Sequence, residues 1–207
     1  MMTITDENMK CRANMRADGV IKVGITGGIG SGKSYVCRRL EARGIEVYDC
    51  DAAAKRLIRT SSDIRRQLVA LIGPATYEGD RLNKSVVAQF LLESEEHARA
   101  IDAIVHPAVF RDFEESGICW MESAIMYESG INRLVDRVVV VTAPEELRIR
   151  RIVERDGITP EKALQWMERQ WPQEQVRQRA DYEIVNDGIA DIDTQLERVL
   201  FELRIKS

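Results

Sequence analysis

The chain has 207 residues, 44% of them hydrophobic and 31% charged, the balance of a folded protein of one or two domains. Its 30 Lys and Arg against 34 Asp and Glu leave a net charge of −4, which speaks against a dedicated nucleic-acid binder and leaves room for a local basic site. No apolar run approaches the roughly 20 residues of a membrane span, and residues 1–19 hold no apolar core of a secretory signal, so a cytoplasmic chain with no membrane or nucleic-acid partner is expected.

Residues 1–19 show no clean period and read as a flexible leader. Val20-Ile21-Lys22-Val23-Gly24-Ile25 is short, β-branched and apolar, and it predicts a buried parallel strand. A Gly-rich turn follows, then a helix from about Gly32 to Arg43, stopped by Gly44. Ile45 to Tyr48 predicts a second strand, and Asp49-Cys50-Asp51 opens a helix to about Arg59. From Ser61 to Ser116 the pattern is helical with no strong strand, broken at Gly73-Pro74 and restarted near Asn83 and Ser94. Ile118 to Met121 is a third strand and Arg137 to Thr142 a fourth, the clearest of all. Pro144-Glu145-Glu146 starts an Arg-rich helix that stops near Gly157, and Thr159-Pro160-Glu161 caps the next. Tyr182 to Val185 predicts the last strand. Residues 189–205 form a closing helix with Ile192, Leu196, Val199, Leu200 and Leu203 on one stripe.

Strands alternating with helices predict an α/β fold, a doubly wound five-stranded parallel sheet with helices on both faces. The expected division is a core of residues 20–60, 117–144 and 180–207, a helical subdomain over 61–116 and a lid over 145–179. Cys11, Cys37, Cys50 and Cys119 form no CxxC pair and only two His are present. Reduced thiols and no zinc site are expected.

Gly27-Gly28-Ile29-Gly30-Ser31-Gly32-Lys33-Ser34 fits G-x-x-x-x-G-K-[ST], with a strand before it and a helix after it. Backbone N–H groups must turn inward around a polyphosphate, and glycine reaches the torsions this requires. The helix start adds its positive end. Lys33 can bridge the outer phosphates and the Ser34 hydroxyl can ligate Mg²⁺. This phosphate loop specifies a nucleoside triphosphate without specifying the reaction.

A GTPase would need Asn-Lys-x-Asp, but Asn83-Lys84-Ser85-Val86 has Val in the last place. The strand ending at Val141 runs into Thr142-Ala143 with no acid to hold a metal. The acids follow strand two instead, at Asp49 and Asp51, which suits a small-molecule kinase. In a parallel sheet, loops at the carboxyl ends of neighbouring strands meet at one crevice, where an acid can take the proton of an attacking hydroxyl. One of the two serves chemistry or metal and the other can cap the helix. Arg148, Arg151 and Arg155 share one helix face and can bring cations to a transferring phosphoryl group. The residues alone leave open a kinase for some other nucleotide or sugar, and an NTP-dependent switch, although a switch needs neither the acid pair nor a large helical insert.

From about Ile21 to Leu203 the sequence resembles the dephospho-coenzyme A kinases. The resemblance is carried by the phosphate loop, Val47-Tyr48-Asp49-Cys50-Asp51, Ile104-Val105-His106-Pro107 and Glu128-Ser129-Gly130. Arg151-x-x-x-Arg155-Asp156-Gly157, Gln170, and Ala180-Asp181-Tyr182 with Asn186-Asp187-Gly188 complete it. It implies transfer of the ATP γ-phosphoryl group to the 3′-hydroxyl of dephospho-CoA, giving CoA and ADP, with Mg²⁺. It also implies Asp51 as general base, Lys33 on the phosphates, Ser34 on the metal, and Arg151 reaching the phosphates with help from Arg155. The implied nucleotide set runs from Gly28 through Ile29, Gly30, Ser31, Gly32, Lys33 and Ser34 to Tyr35, with Arg151 and Asn186. Asp49, Asp51, His106 and Glu128 are implied on the acceptor side, in a monomer or weak homo-oligomer. Three positions depart from the family pattern: Tyr35 where Thr is frequent, Ser123 to Glu128 without its Pro, and Arg148 where an amide is usual.

Overall fold

The computed structural model describes residues 15–16 and 19–203, so most of the leader read in residues 1–19 lies outside the described residues. The chain divides into two compact units, one running to Tyr48 and resuming at Ser116, the other Asp49–Glu115.

The first unit opens on a two-residue antiparallel ladder, β1 (Met15–Arg16) with β2 (Gly19–Val20). The apolar run that reads as one strand is thus interrupted. Ile21-Lys22 separates β2 from β3 (Val23–Thr26), because the Lys22 peptide exchanges hydrogen bonds with Asp136 instead. Every residue of β3 is buried. The loop that follows leads into α1 (Lys33–Glu41), and β4 (Val47–Asp49) carries the chain to the second unit.

That unit contains α2 (Cys50–Thr60), α3 (Ser62–Ile72), β5 (Tyr77–Glu78), β6 (Arg81–Leu82), α4 (Lys84–Glu93) and α5 (Glu95–Ser116). Ser61 caps α3 by accepting from the Ile64 N–H. Ile64, Leu68 and Tyr77 form its core, and the Tyr77 hydroxyl donates to the Ile58 carbonyl at 2.8 Å. The β5–β6 hairpin lies where the pattern reads as helical. Its two-residue Gly79-Asp80 turn, with Gly79 at φ +58°, is the local signal for it.

The chain returns through β7 (Trp120–Glu122), β8 (Arg137–Thr142), α6 (Glu145–Asp156), α7 (Pro160–Met167), α8 (Gln173–Arg177), β9 (Tyr182–Val185) and α9 (Ile192–Glu202). The five strands order β4-β7-β3-β8-β9, and β7–β3, β3–β8 and β8–β9 pair parallel. The first strand of the sheet in chain order therefore lies at its centre, and its carboxyl end opens on the crevice where such sheets bind ligands. Alternation decides which side chains face which helices. Val23, Ile25, Val139, Val141 and Ile184 pack with Val36 and Leu40 of α1 and with Leu196, Val199 and Leu200 of α9. Asp193 ties the two helices together by pairing with Arg39 and with Arg43, the latter at 2.7 Å. Cys119 is disulfide-bonded, against the expectation of reduced thiols, while Cys37 and Cys50 are buried thiols outside any disulfide. No described helix is long and apolar enough to cross a membrane.

Candidate active site

The loop between β3 and α1 turns by positive φ at Gly27 (+145°), Gly30 (+79°) and Gly32 (+95°). Space is as restrictive as torsion. A Cβ on Gly27 would strike the Val141 carbonyl, one on Gly28 the Arg148 guanidinium, and one on Gly32 the Asn186 carboxamide. Lys33 is only 8% exposed and its Nζ donates to the Gly27 carbonyl at 2.8 Å, so the ammonium bridges the neck of the loop. The first-turn amides of α1 have no carbonyl four residues back to bond, and they sit at the positive end of the helix dipole. Amides, ammonium and dipole together suit a polyphosphate. Ser31 is buried and its Oγ has no hydrogen-bond partner among the described residues.

Ser34 is exposed on the first turn of α1, with Oγ 3.5 Å from Glu122 Oε1. Glu122 ends β7 in register with Ile25 of β3. The sequence reading missed this acid because it ended the third strand at Met121 and sought a metal-holding carboxylate only after the fourth. One further residue of strand alternation would have found it. Cys37, one turn along α1, shares a hydrogen bond with Glu122, and burial first, then the Glu122 charge, push its thiol well above the usual range. A hydroxyl and a carboxylate are the hard oxygen donors Mg²⁺ takes, usually alongside water and substrate phosphate, so the residues fit that ion.

Arginines hold the loop from outside. Arg148 is 6% exposed, burial lowers its pKa, and its Nε donates to the Ile29 carbonyl at 2.9 Å. The arginine that departs from the family pattern is therefore a scaffold of the loop. Arg151 donates from Nη1 to the carbonyls of Gly30 and Ser31, both at 3.3 Å, and from Nη2 to Asn186. Asn186 in turn donates from Nδ2 to the Ser31 carbonyl at 2.9 Å. Arg155 pairs with its neighbour Asp156 at 2.7 Å. Gln170 accepts the Ile29 N–H, and Glu128 accepts the Trp171 N–H at 3.0 Å. Tyr35 is exposed, with the Arg39 guanidinium 5.8 Å from its ring.

Gly28 to Ser34, Arg151 and Asn186 thus come together in the first unit, joined there by Glu122, Arg148 and Gln170. Asp49, Asp51 and His106 belong to the second unit. Asp49 is the N-cap of α2 and accepts the Ala52 N–H at 2.9 Å, while Asp51 is exposed in the first turn. His106 lies 3.5 Å from Asp102 and stacks on Phe110. The next residue, Pro107, sits inside α5 with no N–H to give the carbonyl four residues back.

A sequence profile for dephospho-CoA kinase matches residues 21–191. The chain belongs to the dephospho-CoA kinase family. A dephospho-CoA kinase of Bacteroides fragilis is 41% identical over 189 residues, covering 87% of this chain and 92% of that protein. One from Chlorobaculum tepidum is 36% identical, covering 89% and 96%. Among solved structures, a Thermus thermophilus protein aligns with TM-score 0.77 at 34% identity, over 88% of this chain and 97% of that one. A dephospho-CoA kinase from Campylobacter jejuni aligns with TM-score 0.62 at 18% identity, over 88% and 96%, and shows the shared fold. As a dephospho-CoA kinase family member the chain is an ATP-dependent phosphotransferase, so the switch reading is set aside.

Proposed function

We propose that the protein transfers the γ-phosphoryl group of ATP to the 3′-hydroxyl of dephospho-CoA, with the triphosphate on residues 27–34. The observation that carries this reading is the buried Lys33 ammonium bridging a loop whose glycines cannot accept side chains. Lys33 and the first-turn amides of α1 take the phosphate charge. Arg148, Arg151 and Asn186 keep the loop in its binding shape by holding its outward carbonyls. Tyr35 lies at the exposed edge of the nucleotide set. Ser34 and Glu122 would hold Mg²⁺, which when bound neutralises charge on the outer phosphates.

Asp51 serves as general base. The ribose oxygen forms a bond to γ-phosphorus, the bond from γ-phosphorus to the bridging oxygen breaks with its electron pair leaving on ADP, and the hydroxyl proton passes to the carboxylate. Capping of α2 employs Asp49, which leaves Asp51 as the acid of the pair for this task. Residues 61–116, with His106, form the acceptor subdomain, residues 145–179 the lid, and Glu128 contributes on the acceptor side. The enzyme acts in the cytoplasm on a small molecule, without membrane or nucleic acid, as a monomer or weak homo-oligomer.

Dephospho-CoA-stimulated ADP formation, with CoA detected by mass, tests the reading. Product phosphorylated at the 3′-position is expected. Stimulation by a different nucleotide or sugar and none by dephospho-CoA overturns it.

A further inference from the structure

Two contacts from the excursion between β8 and β9, one from α6 and one from just after α7, fall on the same loop residue, Ile29. Arg148, early in α6, donates to the Ile29 carbonyl at 2.9 Å. Gln170, just after α7, accepts the Ile29 N–H on Oε1 at 2.7 Å. The turn beneath is closed by the Ser31 N–H donating to the Gly28 carbonyl at 3.1 Å. Gln170 also reaches the Ala124 carbonyl with Nε2 at 3.5 Å. Its neighbour Trp171 donates its N–H to Glu128, stacks on Tyr127 with centroids 6.1 Å apart, and lies under the Arg179 guanidinium.

The two anchors respond oppositely to an anion. A phosphoryl oxygen repels the Ile29 carbonyl and leaves the arginine anchor in place. It competes directly for the Ile29 N–H, where a charge-assisted hydrogen bond is roughly twice as strong as the neutral one to a carboxamide. The amides nearest α1 serve the inner phosphates, and Ile29 lies toward the other end of the loop.

We propose that Gln170 is a positioning residue that exchanges with the terminal phosphoryl group: the γ-phosphoryl oxygen takes the Ile29 N–H, and the displaced carboxamide frees the chain at Trp171 while Arg148 keeps α6 fastened. The enzyme thereby distinguishes tri- from diphosphate at one amide. This rests on the triphosphate lying on residues 27–34.

The test uses the full chain with Mg²⁺ and either ADP or the β,γ-imido analogue of ATP. Trp171 emission is taken as the difference between wild type and Trp171→Phe. The analogue is expected to change that emission and ADP to leave it. Gln170→Met, of equal length without the acceptor, is expected to bind the analogue about 2- to 10-fold more tightly, the worth of one net hydrogen bond, and ADP unchanged. An unaltered affinity ratio in Gln170→Met, or equal emission changes with both nucleotides, overturns the exchange. The emission comparison needs no change at 170, so it decides the matter even where that variant does not fold. If neither nucleotide binds, the phosphate-loop assignment fails and the exchange fails with it; if both bind with equal effect, the exchange alone fails.

Discussion

Arg151 donates to Asn186 twice, to its backbone carbonyl at 3.1 Å and to its side-chain oxygen at 3.2 Å. With Asn186 Nδ2 turned to the Ser31 carbonyl, this pair locks the end of β9 and helix α6 to the phosphate loop. Arg151→Lys keeps the charge and loses the planar fork that serves four acceptors. The ATP KM is expected to rise about tenfold, the lower end for loss of one charged hydrogen bond, as suits a part-exposed site. Steady-state kinetics at saturating dephospho-CoA measures this; an unchanged KM would remove Arg151 from the nucleotide site.

Lys33→Ala removes the ammonium at the neck of the loop. Turnover is expected to fall by at least about 10²- to 10³-fold, the usual loss for a preorganised electrostatic group. Circular dichroism should show an intact fold, since the hydrophobic core does not include this side chain.

The two acids after β4 should separate by phenotype. Asp51→Asn is expected to lower kcat by about 10²- to 10⁴-fold with little change in ATP affinity, as for loss of a general base. Asp49→Ala is expected to cost about 1 kcal/mol of stability through loss of the α2 cap, read by urea denaturation. Near wild-type turnover in Asp51→Asn would transfer the base assignment to Asp49.

Gly32→Ala combines φ +95° with a Cβ driven into the Asn186 carboxamide. Strain at such a position costs about 1–3 kcal/mol. A lowered melting temperature and loss of measurable nucleotide binding by calorimetry are expected together, because relieving the clash moves Asn186 off Ser31.

Glu174 is held down to about 2, from an ordinary 4.5, chiefly by hydrogen bonds from Arg177 and then Gln178. A depressed folded-state value means that its contribution is complete above about pH 4.5 and disappears as pH falls through about 2. Glu174→Gln should flatten the acid limb of a stability profile in that window. The change should be small and should fade at high salt, because the pair is exposed. A pH-independent effect would show that packing, not ionisation, is involved.

Much of the fold is legible in the sequence because its signals are local. Glycines at fixed spacing announce a backbone that needs positive φ, and β-branched runs ending in them announce buried parallel strands. Thr159-Pro160 announces a helix start, and Thr159 does accept the Lys162 N–H. The stripe from Ile192 to Leu203 is buried as its period requires. The small hairpin at Gly79-Asp80 was also legible, and was obscured by its helical surroundings.

By itself the sequence determined the phosphate loop, the succession of the five sheet strands and most of the helices between them, and the motifs that mark the family, since each of these signals is carried by residues close together in the chain. Only the tertiary structure decided which groups surround the loop. Gln170 and Ile29 are 141 residues apart, Arg148 and Ile29 119, and no periodicity relates them. Glu122 reaches Ser34 because β7 happens to be the strand beside β3. Such hydrogen bonds are set by how sheet and helices stack once their apolar faces are buried, and that packing is a property of the assembled chain.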